Sequence, residues 1–269
     1  MPFLCWQRVP RCNGVHMVDI HCHILPGLDD GARNMEESFE MLKLAVANGC
    51  TDLVATPHSN SRFVFDEARV TEAFHELSAL SRGLINLHRG CDCHLNFKNL
   101  EDALAYPAKY SINGSRYLLV ELPDLLSVTA VRAQLQALLN ARTVPIITHP
   151  ERNFTLQANT DQIKKWVADG CLAQVTGQSF LGRFGSAAKD SADTFMNGDL
   201  VHFVASDAHD CVHRPPNLAE AHEYVRARWG DARARALFMD NPAAVIHDAP
   251  LVRASRPKRM LKCFSFGAK

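Results

Sequence analysis

Near the start of the chain, Asp19-Ile20-His21-Cys22-His23 places two histidines two residues apart, directly after the apolar step from Val18 to Ile20. In a strand, side chains alternate between faces, so His21 and His23 point to the same side. Two imidazoles converging on one side can share a divalent metal, because imidazole suits zinc, iron, manganese and nickel sites. Asp30 follows in the turn Pro26-Gly27-Leu28-Asp29-Asp30-Gly31, where a carboxylate could hold a second ion. A lone His-x-His is more often a polar loop closing a strand. The balance changes with the number of other strand ends that carry ligand-type residues.

The frame that must position these residues is an alternation of strands and helices. Apolar runs predict seven strands, at 17–21, 51–56, 84–89, 117–122, 144–148, 171–176 and 200–205. Helical periodicity and capping signals predict helices from Asn34 to Gly49, and over 66–81, 127–141, 161–169, 187–197, 218–229 and 231–239, with Asn241-Pro242 opening a last helical turn. Such alternation implies a parallel sheet with right-handed crossovers. Seven strands suggest a closed or nearly closed barrel. A doubly wound open sheet is the alternative, weakened because no Gly-rich phosphate fingerprint follows the first strand.

In a parallel barrel the C-terminal strand ends gather at one mouth, where chemistry sits. Here those ends carry His21 and His23, then His58, Asp92, Glu121, His149, and Asp207 with His209; the sixth strand has no obvious ligand. Packing alone does not explain six of seven ends supplying His, Asp or Glu. A cluster of buried carboxylates needs cations. Five imidazoles and the carboxylates Asp30, Asp92, Glu121 and Asp207 are unlike a thiolate zinc site and suit manganese, iron, cobalt or catalytic zinc. Nine donors are too many for one ion and fit two or three. Three divalent ions would overbalance the four carboxylates and leave a mouth complementary to a phosphate dianion. Arg152, just past the fifth strand, adds a forked donor pair for phosphate oxygens.

Composition narrows the field. The chain has 269 residues and a formal net charge of zero, so no global field calls for nucleic acid. The length suits one large α/β domain. Nine cysteines occur without paired Cys-x-x-Cys spacing, which reads as free thiols in a reducing, cytoplasmic setting. No apolar run is long enough to span a membrane. Residues 1–16 read as an N-terminal extension lacking signal-peptide character, 17–250 as the barrel, and 251–269 as a disordered basic tail. Arg253, Arg256, Lys258, Arg259, Lys262 and Lys269 leave that tail as the only segment suited to contact an anionic membrane or acidic partner.

The ordered set His21-Cys22-His23, Thr56-Pro57-His58, Glu121, His149-Pro150-Glu151-Arg152 and Ser206-Asp207-Ala208-His209 resembles the PHP (polymerase and histidinol phosphatase) superfamily. Asp29-Asp30-Gly31 with Glu36-Glu37-Ser38, the His-Pro-Glu-Arg stretch, and Arg214-Pro215-Pro216 followed by Ala219-Glu220-Ala221 resemble its bacterial tyrosine-phosphatase branch, which regulates capsule and exopolysaccharide synthesis. The resemblance covers about residues 17–248. It implies a distorted (β/α)7 barrel with two to three divalent metals, manganese first among them. It implies that His21, His23 and Asp207 bind one ion, and that Glu121 and His149 bind a second, bridged to the first by Asp92. Asp30, His58 and His209 would bind the third. Asp92 stands where the family often has Glu, one methylene longer, which bears on metal spacing. The implied reaction is hydrolysis of a phosphotyrosine protein, such as a tyrosine-kinase C-terminal tail, by metal-assisted in-line attack on phosphorus. Arg152, Asp207 and His209 would be the catalytic group, with Arg62 and Arg214 joining Arg152 on the phosphate. Oligomeric relatives make a homo-oligomer an expectation.

Two other readings stay open: a PHP phosphatase for a small metabolite resembling histidinol phosphate, and a non-enzymatic regulatory barrel. A cysteine nucleophile is disfavoured. The usual Cys-x5-Arg loop is absent, since Cys22, Cys91 and Cys93 have no arginine at that offset and Arg214 lies only three residues after Cys211. His94, His202, His213 and His222 read as structural or surface residues.

Overall fold

A computed structural model of the chain describes residues 16–123 and 127–251. The expected extension, apart from its last residue, and the basic tail beyond Leu251 lie outside the described residues. Among these residues nine ladder segments form: β1 (Met17–Cys22), β2 (Cys50–Ala55), β3 (His58–Ser59), β4 (Asn86–Arg89), β5 (Asp92–His94), β6 (Tyr117–Glu121), β7 (Val144–Thr148), β8 (Leu172–Thr176) and β9 (Phe203–Ala205). They pair in parallel as two sheets, in the orders β1-β2-β4 and β3-β5-β6-β7-β8-β9. The fold is thus a mixed α/β domain built on parallel sheets.

Two of the seven expected strands, 51–56 and 84–89, form as β2 and β4, and each is followed by a second short segment not expected as strand. Pro57, which has no N–H to give a ladder, separates β2 from β3, and Gly90-Cys91 separates β4 from β5. Backbone bonds nonetheless cross the breaks: Gly90 N donates to Ala55 O at 2.9 Å, and Asp92 N to Pro57 O at 3.1 Å. A single parallel bridge, Cys22 with Ala208, joins the end of β1 to the segment after β9. His23 N donates to Ala208 O there, and Asp207 N to His21 O. No continuous closed ladder forms among the described residues.

Helices fill the connections as capping chemistry predicts. Asn34 accepts from Glu37 N to start Met35–Ala47, and Asp66 accepts from Ala68 N and Arg69 N to start Glu67–Leu80. Ser127 caps Val128–Asn140. The helix Phe97–Ala105, capped by Asn96, was not expected; it is short, and its Phe97 and Leu104 are exposed. The expected 231–239 helix changes character midway: Asp231–Arg235 is α-helical, Ala236–Asp240 is a π-turn, and Asn241–Ile246 resumes with Pro242 in its first turn.

The core has two layers. Outward-facing strand residues such as Leu53, Leu118, Val120, Ile147, Val175 and Val204 pack under the helices. Their alternates Val18, Ile20, Val54, Leu119, Ile146 and Phe203 face one another across the sheets, sealed at the base by Val245 and Ile246. This inner face is crowded. A Cβ on Gly90 would sit 2.9 Å from Val54 Cγ1 and 3.2 Å from Thr56 Cγ2.

Candidate metal centre

Following the inner face toward the strand C-termini carries the chain from apolar to polar to ligand-type residues at period two. Val54 leads through Thr56 to His58, Leu119 to Glu121, Ile146 to Thr148, and Phe203 through Ala205 to Asp207. Asp92 lies between Cys91 and Cys93, which both face the helices, so its carboxylate faces inward. In β1 a register irregularity between Asp19 and Cys22 shifts the inward face from Val18 and Ile20 to His21 and His23, whose Nε2 atoms are 3.1 Å apart. Gly31 lets the Asp29–Gly31 turn press against His23. A Cβ there would fall 2.0 Å from His23 O.

The nine expected donors form one cluster. Asp207 Oδ1 lies 3.5 Å from Nε2 of both His21 and His23. Asp92 Oδ2 lies 3.7 Å from His21 Nε2 and 3.2 Å from His58 Nδ1. Asp30 Oδ1 lies 3.4 Å from His58 Nε2 and 3.6 Å from His209 Nε2. Glu121 lies 3.8 Å from both His58 Nδ1 and His149 Nε2. Four sets have all their donor atoms within 4.8 Å of one another: His23, Asp30, His58 and His209; His21, His23 and Asp92; His21, His149 and Asp207; and His58, Asp92 and Glu121. Asp92 belongs to two sets and stands between them. His149 groups with His21 and Asp207 rather than with Asp92.

The donors fit divalent cations. Two ligands that each approach an ion to about 2.1 Å lie roughly 3–3.5 Å apart, which is close to the spacing here. Asp92 Oδ2 and His58 Nδ1 are buried and neither completes a hydrogen bond. Burial works against the charge on Asp92 and Asp207, yet neighbouring imidazoles and, for Asp207, Arg214 and Arg152 hold both carboxyls well below the usual range. Burial pulls His23 down, but the Asp29 and Asp207 carboxylates outweigh it and push it up to about 10. Burial, with Arg152, takes His149 down to about 3. Burial, with His23, takes His209 down to about 2. Asp92 and Asp207 are therefore held ionised and His149 and His209 neutral, which are the ligating forms, whereas His23 would give up a proton to ligate.

A supporting layer orients the donors, and most of it was not legible in the sequence. Gln174 Oε1 lies 2.9 Å from His21 Nδ1, leaving Nε2 to face the cluster. Gln174 is the inward residue of β8, the strand without a ligand. Asp29 Oδ2 lies 2.8 Å from His23 Nδ1 and accepts from His58 N at 2.9 Å. His94 Nδ1 lies 3.3 Å from Glu121 Oε2, so this histidine supports the site rather than standing apart. Glu151, fully buried and pushed up to about 7 by that burial, accepts from Ser179 Oγ at 2.7 Å and Thr176 N at 3.0 Å. The adjacent acid in Asp29-Asp30 and the Glu in His-Pro-Glu-Arg were the available signals. Gln174 had none.

Two of the three expected phosphate arginines are at the cluster. Arg152 Nη1 and Arg214 Nη2 both donate to Asp207 Oδ2. Arg62 is exposed and lies over the Phe63 ring, 4.8 Å away, with Phe63 stacked on His58. His149 and Asp207, with φ of 33° and 51°, hold left-handed backbone at the strand ends, a cost of about 1–3 kcal/mol each. The described cysteines are free, and burial pushes the Cys22, Cys50 and Cys91 thiols well up. No helix of the described residues is long and apolar enough to cross a membrane.

Known proteins resemble this chain in sequence and fold. A tyrosine-protein phosphatase from Bacillus subtilis, YwqE, is 33% identical over 256 residues, spanning 93% of this chain and 100% of its own length. The tyrosine-protein phosphatase CpsB of Streptococcus pneumoniae is 30% identical over 241 residues, spanning 86% and 99%. A crystal structure from work on YwqE and CpsB, described as unique metal-dependent tyrosine phosphatases, matches with a TM-score of 0.80 at 30% identity, covering 90% of this chain and 100% of that one. The family model described as capsular polysaccharide synthesis, CpsB/CapC, matches residues 17–247. With nine donors gathered at the strand ends and that family model spanning nearly the whole described domain, the chain belongs to the CpsB/CapC family.

Proposed function

We propose that the chain is a metal-dependent tyrosine-protein phosphatase that acts on a tyrosine kinase of capsule or exopolysaccharide synthesis, such as its C-terminal tail. The observation that carries this reading is the convergence of two arginines on Asp207 inside a nine-donor cluster. Cation sites beside guanidinium forks suit a phosphate dianion. Residues 17–250 make the catalytic domain. We read the two sheets as a distorted (β/α)7 barrel of the PHP type, drawn together at the Cys22–Ala208 bridge.

His21, His23 and Asp207 would hold one ion, Glu121 and His149 with Asp92 a second, and Asp30, His58 and His209 a third; His149 lies 3.8 Å from Glu121 and also groups with His21 and Asp207. Bound divalent ions, with manganese our choice, would supply Lewis acidity toward phosphoryl oxygens and a nucleophile at neutral pH. Arg152 and Arg214 hold the phosphate and stabilise the charge that spreads over its oxygens. Asp207 orients both guanidinium groups. Arg62, stacked on Phe63 beside His58, contacts the substrate farther out. A tyrosinate leaving group, with a phenol pKa of about 10, needs little acid help from these residues. Free thiols fit the cytoplasm.

The test pairs metal analysis of the purified protein with hydrolysis of a phosphotyrosine peptide and of histidinol phosphate, with and without Mn2+. Two to three ions per chain, and peptide turnover that a chelator abolishes and thiol alkylation spares, are expected. Preference for histidinol phosphate would move the substrate to small metabolites. Absence of metal under every loading condition would sink the site.

A further inference from the structure

The end of β8 supplies no ligand, yet its loop reaches both arginines. After Thr176 the chain forms a short helix, Gly177–Phe180, and then a tight turn over 181–185. Arg183 N donates to Gln178 O at 3.1 Å, and Gly185 N to Gly182 O at 3.0 Å. Gly182 and Gly185, at φ of 76° and 86°, take backbone positions that side chains resist. The turn places the Phe184 ring 4.3 Å from the Arg152 guanidinium carbon and 5.7 Å from that of Arg214.

The same loop is tied to the segments bearing these arginines. Ser179 donates to Glu151, the neighbour of Arg152. Gln178 Nε2 donates to Pro215 O, next to Arg214, at 3.3 Å. On the outside, Arg183 pairs with Glu220 at 3.0 Å, and Lys189 Nζ donates to Phe180 O. Like charges brought together on one carboxylate oxygen repel, and Arg214 Nε is buried with no hydrogen bond. An aromatic face attracts a guanidinium within about 6 Å and partly offsets that repulsion.

We propose that Phe184 is a positioning residue: its ring braces Arg152 and Arg214 as a two-arginine phosphate clamp, set in place by the β8 loop. The role rests on the phosphatase reading only for the identity of the substrate. Phosphate binding itself tests it independently. Besides Asp207, the ring is the partner that Arg152 and Arg214 share.

The experiment compares Phe184→Ala, Phe184→Leu, Phe184→Tyr and Phe184→Trp in the metal-loaded full chain. Inorganic phosphate binding is read by calorimetry, KM and kcat on a phosphotyrosine peptide by kinetics, and metal content by mass spectrometry. Ala and Leu should both weaken phosphate binding about five- to tenfold and raise KM in parallel, with kcat moving less, while Tyr and Trp stay near the parent. Metal content should be the same in all. A Leu variant equal to the parent would overturn the brace, because leucine restores apolar volume without a π face. So would Tyr and Trp failing as badly as Ala, or a loss of metal in Phe184→Ala. If the parent binds phosphate and the series behaves as expected while the peptide is not hydrolysed, the brace stands and the tyrosine reading falls.

Discussion

The two ends of the parallel strands are built to opposite rules. At the base, charges are matched one to one. Arg116 donates to the carboxylate and carbonyl of Asp248, and Arg233 pairs with Asp199 while donating to Val201 O at 2.8 Å. Above them lies the apolar layer of Val18, Ile20, Val54, Leu119, Ile146 and Phe203. At the mouth, four carboxylates and five imidazoles crowd together, and the buried Asp92 Oδ2 and His58 Nδ1 complete no hydrogen bond. The base resembles an ordinary folded core; the mouth is frustrated in a way that bound cations, and under the proposed function a phosphate dianion, would relieve. The fold therefore draws its stability from one end and carries its chemistry at the other.

That division can be broken by substitution. His149→Ala at the mouth should lower kcat/KM on a phosphotyrosine peptide by about 10³-fold or more with little loss of folding free energy, read by steady-state kinetics beside urea denaturation. A large drop in stability would mean that the donors also hold the fold. Phe203→Ala at the base should do the opposite: about 3–5 kcal/mol less stability in urea, with unchanged kcat per folded molecule. Lost turnover in a fully folded population would show that the inner layer tunes the site. Gln174→Ala, one layer below the donors, should weaken metal affinity about 10–100-fold, measured by competition with a chelator of known affinity. No change would remove Gln174 from the orientation of His21. Arg116→Ala, an exposed pair at the base, should leave both thermal midpoint and kcat/KM unaltered; a clear shift in either would mean that the base is less ordinary than its pairing suggests.

Much of the mouth could be read from the chain because period two links each apolar strand to the side chain at its end. His58, Glu121 and Asp207 follow from that rule and a parallel sheet, whereas an irregularity between Asp19 and Cys22 turns the His21-His23 pair inward in place of the face of Val18 and Ile20. Helix limits were close where a cap was local, as at Asn34 and Asp66. The short segments β3 and β5 were harder to see, because they follow Pro57 and Gly90-Cys91, where the apolar runs of the expected strands have already ended. The helix Phe97–Ala105 was missed because it is only nine residues long, too short for its periodicity to stand out.

By itself the sequence determined which residues can ligate, which strand ends carry them, and that the sixth strand carries none. These are properties of residue type and spacing, and they survive any detail of packing. Only the tertiary structure decided the partners: His149 beside His21 and Asp207, Asp92 between two sets, Gln174 behind His21, Glu151 under the β8 loop, and Phe184 between two arginines. Each of those contacts joins residues far apart in the chain. Their geometry depends on how strands, turns and loops settle against one another, which no local pattern encodes.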